Sequence, residues 1–255
     1  MKTATRTLAL ALAFTAPLHA QAVTAPLELE SSAARPFGPG EKLTYAVKVP
    51  LGGGGTAVAE IMGIDTVRGR EVYHTVFRVN GSMLLFKVRD LYESWFDPAT
   101  LVSLRYHQDI DEGPYERNRT YEIFPGDKYI DGNKQEHATV DKPLDDGAFL
   151  YFLRTIPLEV GKTYTWNRYF KPDRNPVRVT VVRKERIRVP AGEFDAFVLQ
   201  PKIKAKGIFA EGANAEVWIA DDDTRMMLQM KTRLPFGSVQ FQLRSREFVR
   251  PIANR

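Results

Sequence analysis

Lys42-Leu43-Thr44-Tyr45-Ala46-Val47-Lys48-Val49 decides the fold class. Leu43, Tyr45, Val47 and Val49 alternate with Lys42, Thr44, Ala46 and Lys48. Side chains of an extended chain point to opposite faces in turn, so this pattern reads as a half-buried strand. The run Gly52-Gly53-Gly54-Gly55 follows and reads as a hairpin turn, because glycine takes positive φ freely. The alternation returns downstream. Tyr73, Thr75, Phe77 and Val79 oppose Val72, His74, Val76 and Arg78; Val102, Leu104 and Tyr106 oppose Ser103, Arg105 and His107. Val177, Val179, Val181, Ile187 and Val189 oppose Arg178, Thr180, Lys184, Arg186 and Arg188, and Val239, Phe241 and Leu243 oppose Gln240, Gln242 and Arg244. Turn chemistry at Val67-Arg68-Gly69, Asp97-Pro98, Pro125-Gly126-Asp127, Pro190-Ala191-Gly192 and Asp221-Asp222-Asp223 separates the runs. Many short strands at close spacing predict a mainly β fold, an antiparallel barrel-like or sandwich domain.

One stretch breaks the period of two. Asp145 or Asp146 can cap a helix, since an aspartate accepts from the free amides of a first turn. Phe149, Phe152, Leu153 and Ile156 then share a helical face, and Pro157 ends it, which predicts one short connecting helix over about 145–156. Ser82 to Val88 leaves room for a second short helix.

The two halves resemble each other. Gly40-Glu41-Lys42-Leu43-Thr44-Tyr45 aligns with Gly161-Lys162-Thr163-Tyr164-Thr165-Trp166, Gly69 with Gly192, Glu93-x-Trp95 with Glu216-x-Trp218, and Thr100 and Leu104 with Thr224 and Leu228. The offset is nearly constant, so we read two similar β-meanders, 37–124 and 157–247, with the helix between them. Paired curved sheets would enclose a shared core or cleft, with Trp95 and Trp218 at equivalent positions in it.

The first residues carry an address. Lys2 and Arg6 precede an apolar run, Leu8 to Leu18, and Ala20-Gln21-Ala22 matches a small-residue cleavage site. That order predicts a signal peptide over 1–22, cleaved near Ala20 or Ala22, and a periplasmic protein. Residues 23–36 read as a linker, 37–248 as one domain and 249–255 as a tail. The apolar run is too short to span a bilayer, and no later stretch reaches the roughly 20 apolar residues of a membrane helix.

Composition narrows the classes. The 255 residues contain no cysteine, which excludes a disulfide framework and a thiol nucleophile. The net charge of +5 includes Lys2 and Arg6, so the remainder is only mildly basic and lacks the excess expected of a nucleic-acid binder. His74, His107 and His137 are far apart in sequence, with no His-Glu-x-x-His, so no metal and no cofactor is expected. No serine lies in Gly-x-Ser-x-Gly, and the four glycines lack the Gly-Lys-Ser/Thr of a phosphate loop.

Pro36-Phe37-x-x-Gly40-Glu41-x-Leu43-x-Tyr45 resembles the start of the domain-of-unknown-function 3108 family of bacterial exported proteins. Asp145-x-x-x-Phe149-Leu150-Tyr151-Phe152-Leu153-Arg154, Pro157-Leu158-x-x-Gly161, Val189-Pro190-Ala191-Gly192-x-Phe194 and Trp218-Ile219-Ala220-Asp221-Asp222-x-x-Arg225 continue the resemblance over nearly the whole chain after the leader. It implies a β-rich, barrel-like envelope protein. It implies no reaction and no catalytic residues.

Candidate binding residues emerge from charge and aromatic content. Arg154 stands on a helix whose other face is apolar, and a guanidinium there can grip a carboxylate or phosphate in a fork, or pair with Asp145 or Asp146. With Tyr151, Trp95 and Trp218 it makes the candidate ligand set. If the valines of 177–189 point inward, Arg178, Lys184, Arg186 and Arg188 point outward beside Lys202, Lys204 and Lys206, a cationic stripe that would attract lipid head groups or acidic polysaccharide. A β-shell with 15 Phe, 10 Tyr and 3 Trp has the means to hold an apolar ligand, which favours a non-enzymatic binding or carrier module for an amphiphile. Two acidic clusters, Asp109-Asp111-Glu112 and Asp221 to Asp223, supply the alternative, a glycan hydrolase with paired carboxylates. A scaffold or assembly factor docking through a strand edge is the third reading.

Overall fold

The structure is a computed structural model describing residues 35–50, 52–83, 86–204, 214–234 and 237–248. The expected leader, most of the linker, Lys206 and the tail lie outside the described residues. Eight strands precede the helix: β1 (Glu41–Lys48), β2 (Gly53–Val67), β3 (Arg70–Met83), β4 (Phe86–Phe96), β5 (Ser103–Glu112), β6 (Tyr115–Phe124), β7 (Lys128–Ile130) and β8 (Glu136–Ala138). Helix α1 (Asp146–Phe152) comes next, then β9 (Thr163–Trp166), β10 (Val177–Val189), β11 (Gly192–Lys202), β12 (Glu216–Ala220), β13 (Met227–Leu234) and β14 (Gly237–Phe248).

These strands form one antiparallel sheet in the order β8-β7-β6-β5-β4-β3-β2-β1-β14-β13-β12-β11-β10-β9. Sequence neighbours pair throughout, except that β8 and β9 form the two edges. The first and last strands, β1 and β14, meet at the centre. The sheet curls so that apolar residues from both wings and from α1 join in one cluster, including Tyr45, Tyr106, Phe149, Val181 and Phe241. The mainly β, barrel-like fold expected from the alternation is the fold observed.

Two local expectations are corrected. Gly53, Gly54 and Gly55 lie inside β2 and pair with Met83, Ser82 and Gly81. A β-carbon on Gly55 would stand 2.1 Å from the Asn80 carbonyl oxygen, so close approach of strands, not a turn, requires glycine there. The second helix does not form: Ser82 and Met83 end β3, and Phe86 to Val88 begin β4.

Asp145 caps α1. Its Oδ1 accepts from the amides of Gly147 (2.8 Å) and Ala148 (2.9 Å), and its Oδ2 accepts from the Ser94 hydroxyl (2.7 Å). Burial pushes this carboxyl up to about 7, against the pull of those hydrogen bonds. The α-helix stops at Phe152, earlier than Pro157 alone would dictate. The amides of Arg154 and Thr155 bond three residues back, to Tyr151 and Phe152, and tighten the last turn.

Local devices recur near the sequence offset. Gly40 (φ +87°) donates to Ile61 and Gly161 (φ +86°) to Val181. β2 is bulged between Ile61 and Gly63, and β10 between Val181 and Arg183. Asp97 accepts from Thr100, and Asp222 from Thr224, in the turns after β4 and β12. These matches are local, and eight strands stand against six.

Candidate functional site

Cross-strand register converts the alternation into an inner wall. Residues directly opposite one another share a face. One row reads Leu43, Ala59, Phe77, Tyr92, Gln108, Arg119 from β1 to β6, and the next reads Tyr45, Ala57, Val79, Asp90, Ile110, Arg117. Both rows change from apolar at the central seam to polar or cationic at β6. Phe77, Tyr92 and Ala59 are only half-buried, as is Leu150 opposite them on α1. Between these groups lies an apolar cavity of about 30 Å³, lined also by Leu43, Tyr45, Tyr151 and Met227. That is room for a water, so a larger ligand would have to lie along the open wall.

The polar side of this interior is tied down. Gln108 Nε2 donates to the Tyr106 hydroxyl (2.9 Å), which donates to Asp146 Oδ2 (2.9 Å); Tyr169 donates to Asp146 Oδ1 (3.0 Å). Burial, with Asp146 adding, raises both tyrosine hydroxyls well above their usual range. Asp90 is 8% exposed and accepts from the Asp111 amide at 3.3 Å. Burial pushes its carboxyl up to about 7, with Glu112 adding to the shift. A folded-state value above the unfolded one stabilises the fold at low pH and loses that stabilisation as pH rises through it. Stability should therefore fall between pH 5 and pH 8, with roughly 2–3 kcal/mol of the fall due to Asp90. Urea midpoints across that range should show a flatter profile for Asp90→Asn; equal slopes would refute the assignment.

Of the candidate ligand set, Tyr151 and Arg154 line the cavity together. Arg154 is nevertheless occupied. It is 3% exposed and forks onto Glu41, not onto Asp145 or Asp146, with Nη2 to Oε2 at 3.0 Å. Nη2 also donates to the carbonyls of Pro36 (3.0 Å) and Thr224 (2.9 Å), and Nε to that of Arg225 (2.9 Å). The rings of Phe37 and Tyr151 stack over it. It holds three segments together and has no fork left to orient a ligand.

Trp95 and Trp218 do not face a cleft. Trp95 is half-buried on the face opposite Ser94, and Trp218, 4% exposed, is packed in the hydrophobic cluster. Trp95 donates to Asp65 (2.9 Å) and stacks on His74 at 4.4 Å, while Trp218 donates to Glu185 (2.6 Å). The cationic stripe is exposed but largely neutralised. Arg178, opposite Lys202, lies on the outer face, and Lys184, Arg186 and Arg188 are exposed while Val177, Val179, Val181 and Val189 are buried. Lys184 pairs with Asp221, Arg186 with Glu193, and Arg188 with Glu193. Lys204 is exposed beyond β11.

The acidic clusters are not brought together. Asp109 and Asp111, on the outer face of β5, line a polar groove of about 810 Å³ with Arg78, Arg89, Glu116 and Asn118, and the groove also reaches Asp90 and Arg117 of the inner rows. Arg89 bonds Asp111 and holds its carboxyl below the usual range. Asp222 is spent on its own turn. His74, His107 and His137 bond Glu93, Thr120 and Asp131 respectively, and among the described residues no three metal-binding side chains converge.

Asp90, Tyr92, Gln108, Arg117 and Arg119 escaped the sequence reading. A signal was present, since Val88, Asp90, Tyr92, Ser94 and Phe96 alternate with Arg89, Leu91, Glu93 and Trp95. A buried aspartate within that alternation was the mark to follow.

Comparison with known proteins agrees with this fold. A solved structure described as a β-barrel-like protein of domain of unknown function DUF1849 from Brucella abortus is similar, with a TM-score of 0.56 and 10% identity over 82% of this chain and 98% of that one. No curated protein matches the chain. The model of the family described as a protein of unknown function (DUF3108) matches residues 42–244, and the chain belongs to that family.

Proposed function

We infer that the chain is an exported, periplasmic binding or carrier module for an amphiphile, without catalysis of its own. The observation that carries this is the graded inner wall. Leu43, Ala59, Phe77 and Tyr92 offer an apolar track, and Arg117 and Arg119 end the same two rows on β6. An acyl chain would lie on the track, where burial of apolar area drives association, and an anionic head would meet the guanidinium groups. The leader-like order of residues 1–22 supports export. The separation of the acidic clusters removes support from paired-carboxylate hydrolysis. The polar groove favours a second reading, glycan contact, because Asn80, Asn118, Arg78 and Glu116 supply both donors and acceptors to it.

Titration calorimetry with palmitate and with a monoacylglycerol tests the first reading. Both should bind the parent chain. Arg117→Glu with Arg119→Glu should weaken palmitate by roughly tenfold or more and leave the monoacylglycerol unchanged. Flat titrations of the parent with both would reject the reading.

A further inference from the structure

Two turns beside α1 are locked in the same way, and each is gripped by arginine. The turn after β4 is held by Asp97, whose Oδ1 accepts from the amides of Ala99 (2.9 Å) and Thr100 (2.8 Å) and from the Thr100 hydroxyl (2.9 Å). The turn after β12 is held by Asp222. Arg154 takes the Thr224 and Arg225 carbonyls of this second turn, and Glu41 neutralises it. The first turn is gripped by two arginines. Arg35 donates to the Ala99 carbonyl, and Arg168 Nη2 donates to the Thr100 carbonyl (3.2 Å).

Neither of these two has a carboxylate partner among the described residues, whereas Arg154 has Glu41. Asp97 is the acid nearest Arg35, but its Oδ1 is spent on its own turn. Asp141 faces the Gly126 turn, where a β-carbon on Gly126 would stand 3.5 Å from its Oδ1. Lys142 beside it is exposed, and its carbonyl accepts from Arg168 Nε (2.8 Å), which brings a third cation to the place. Burial lowers the Arg168 guanidinium to about 10, the Arg35 charge adds to the fall, and no acid offsets it. Two guanidinium groups on neighbouring carbonyls repel each other, and an anion between them relieves the repulsion.

Both side chains are held in place. The Phe152 ring lies 5.0 Å from the Arg168 guanidinium, and the two carbonyls fix Nε and Nη2, which leaves Nη1 for a ligand. Arg35 is set by its neighbours: the Pro36 carbonyl accepts from Arg154 (3.0 Å), and the Phe37 ring packs on Tyr151 at 5.0 Å. Arg35 spends only Nη2, so its Nε and Nη1 remain. A phosphate monoester brings nearly two charges and three terminal oxygens, enough to meet both groups; a carboxylate brings one charge and two oxygens.

We propose that Arg35 and Arg168 form a binding site for a phosphate group, carried by a small soluble ester or by a lipid head. The site uses neither Arg117 nor Arg119, so it stands whether or not the inner wall holds an amphiphile.

The test is a phosphorus NMR titration of inorganic phosphate with the full expressed chain. The phosphate resonance should shift and broaden with the parent. Arg35→Gln and Arg168→Gln should each weaken binding by roughly tenfold or more, because each removes charged hydrogen bonds. Arg35→Gln should keep the parent's thermal midpoint, since Arg35 makes a single hydrogen bond, so its lost binding is not lost folding. Lys48→Gln, at an exposed cation elsewhere, should bind as the parent does. Glycerol phosphate and dihexanoyl phosphatidic acid separate the two sources. Equal affinity marks a soluble ester, and a gain of roughly tenfold or more for the lipid marks a head group. An unshifted resonance with the parent would overturn the proposal, as would equal binding by the parent and the two arginine variants, or acetate bound as tightly as phosphate. Binding that emerges only in Glu28→Gln with Glu30→Gln would assign the arginines to the chain's own acids and overturn it too. Palmitate titration of Arg35→Gln should match the parent, which keeps this site and the wall separately testable.

Discussion

Arg154→Leu should lower the unfolding free energy by about 3–5 kcal/mol, the cost of leaving one member of a buried pair uncompensated. The abandoned partner is Glu41, 1% exposed at the start of β1. The carbonyls of Pro36, Thr224 and Arg225 would lose their donors at the same time. Adding Glu41→Leu should restore most of the loss, because an apolar pair of similar volume avoids the desolvation of two charges. Urea denaturation of the two single variants and the double variant closes the cycle. Losses that simply add in the double variant would show that the pair is not the source. Arg154→Lys should fall in between, since an ammonium keeps the charge but cannot fork onto the carboxylate.

Phe152→Ala should cost about 3–5 kcal/mol as well, through lost burial and the void left behind. The Phe152 ring is 1% exposed, meets Trp166 edge to face at 5.0 Å and lies 6.4 Å from the Phe149 ring. The Arg168 guanidinium covers it at 5.0 Å. Val160→Ala, at a site 53% exposed, should stay within about 0.5 kcal/mol and serves as the control. Comparable losses for the two variants, by thermal or urea unfolding, would mean that α1 does not belong to the core. The outcome bears on the inner wall directly, because α1 supplies Leu150 and Tyr151 to it.

Period-two alternation was enough to read the fold class, since a strand advertises its buried face in every second residue. It located β1, β3, β5, β10 and β14 directly. Glycine misled the reading at 52–55. The same residue type serves both a turn and a tight strand crossing, and only the partner at Gly81 distinguishes them. The site was less legible because cross-strand ion pairs leave no local mark. Lys184, Arg186 and Arg188 are exposed as their alternation with valines announces, but Asp221 and Glu193 neutralise them in the folded sheet. Arg154 was legible as a residue of consequence. Its acid lies 113 positions away in sequence, beyond the reach of any local pattern.

The pairing of β1 with β14 has a consequence for biogenesis. The open row of β1 finds its partner only in the last described strand, so the two wings stay unjoined until the end of the chain has emerged. Long-range closure of this kind makes folding slow and leaves a bare edge in the meantime, a template for aggregation. A chain threaded across a membrane from its N-terminus would deliver β1 first and its partner last. During that interval the edge needs a holdase, or a partner strand from elsewhere, more than the finished protein ever does.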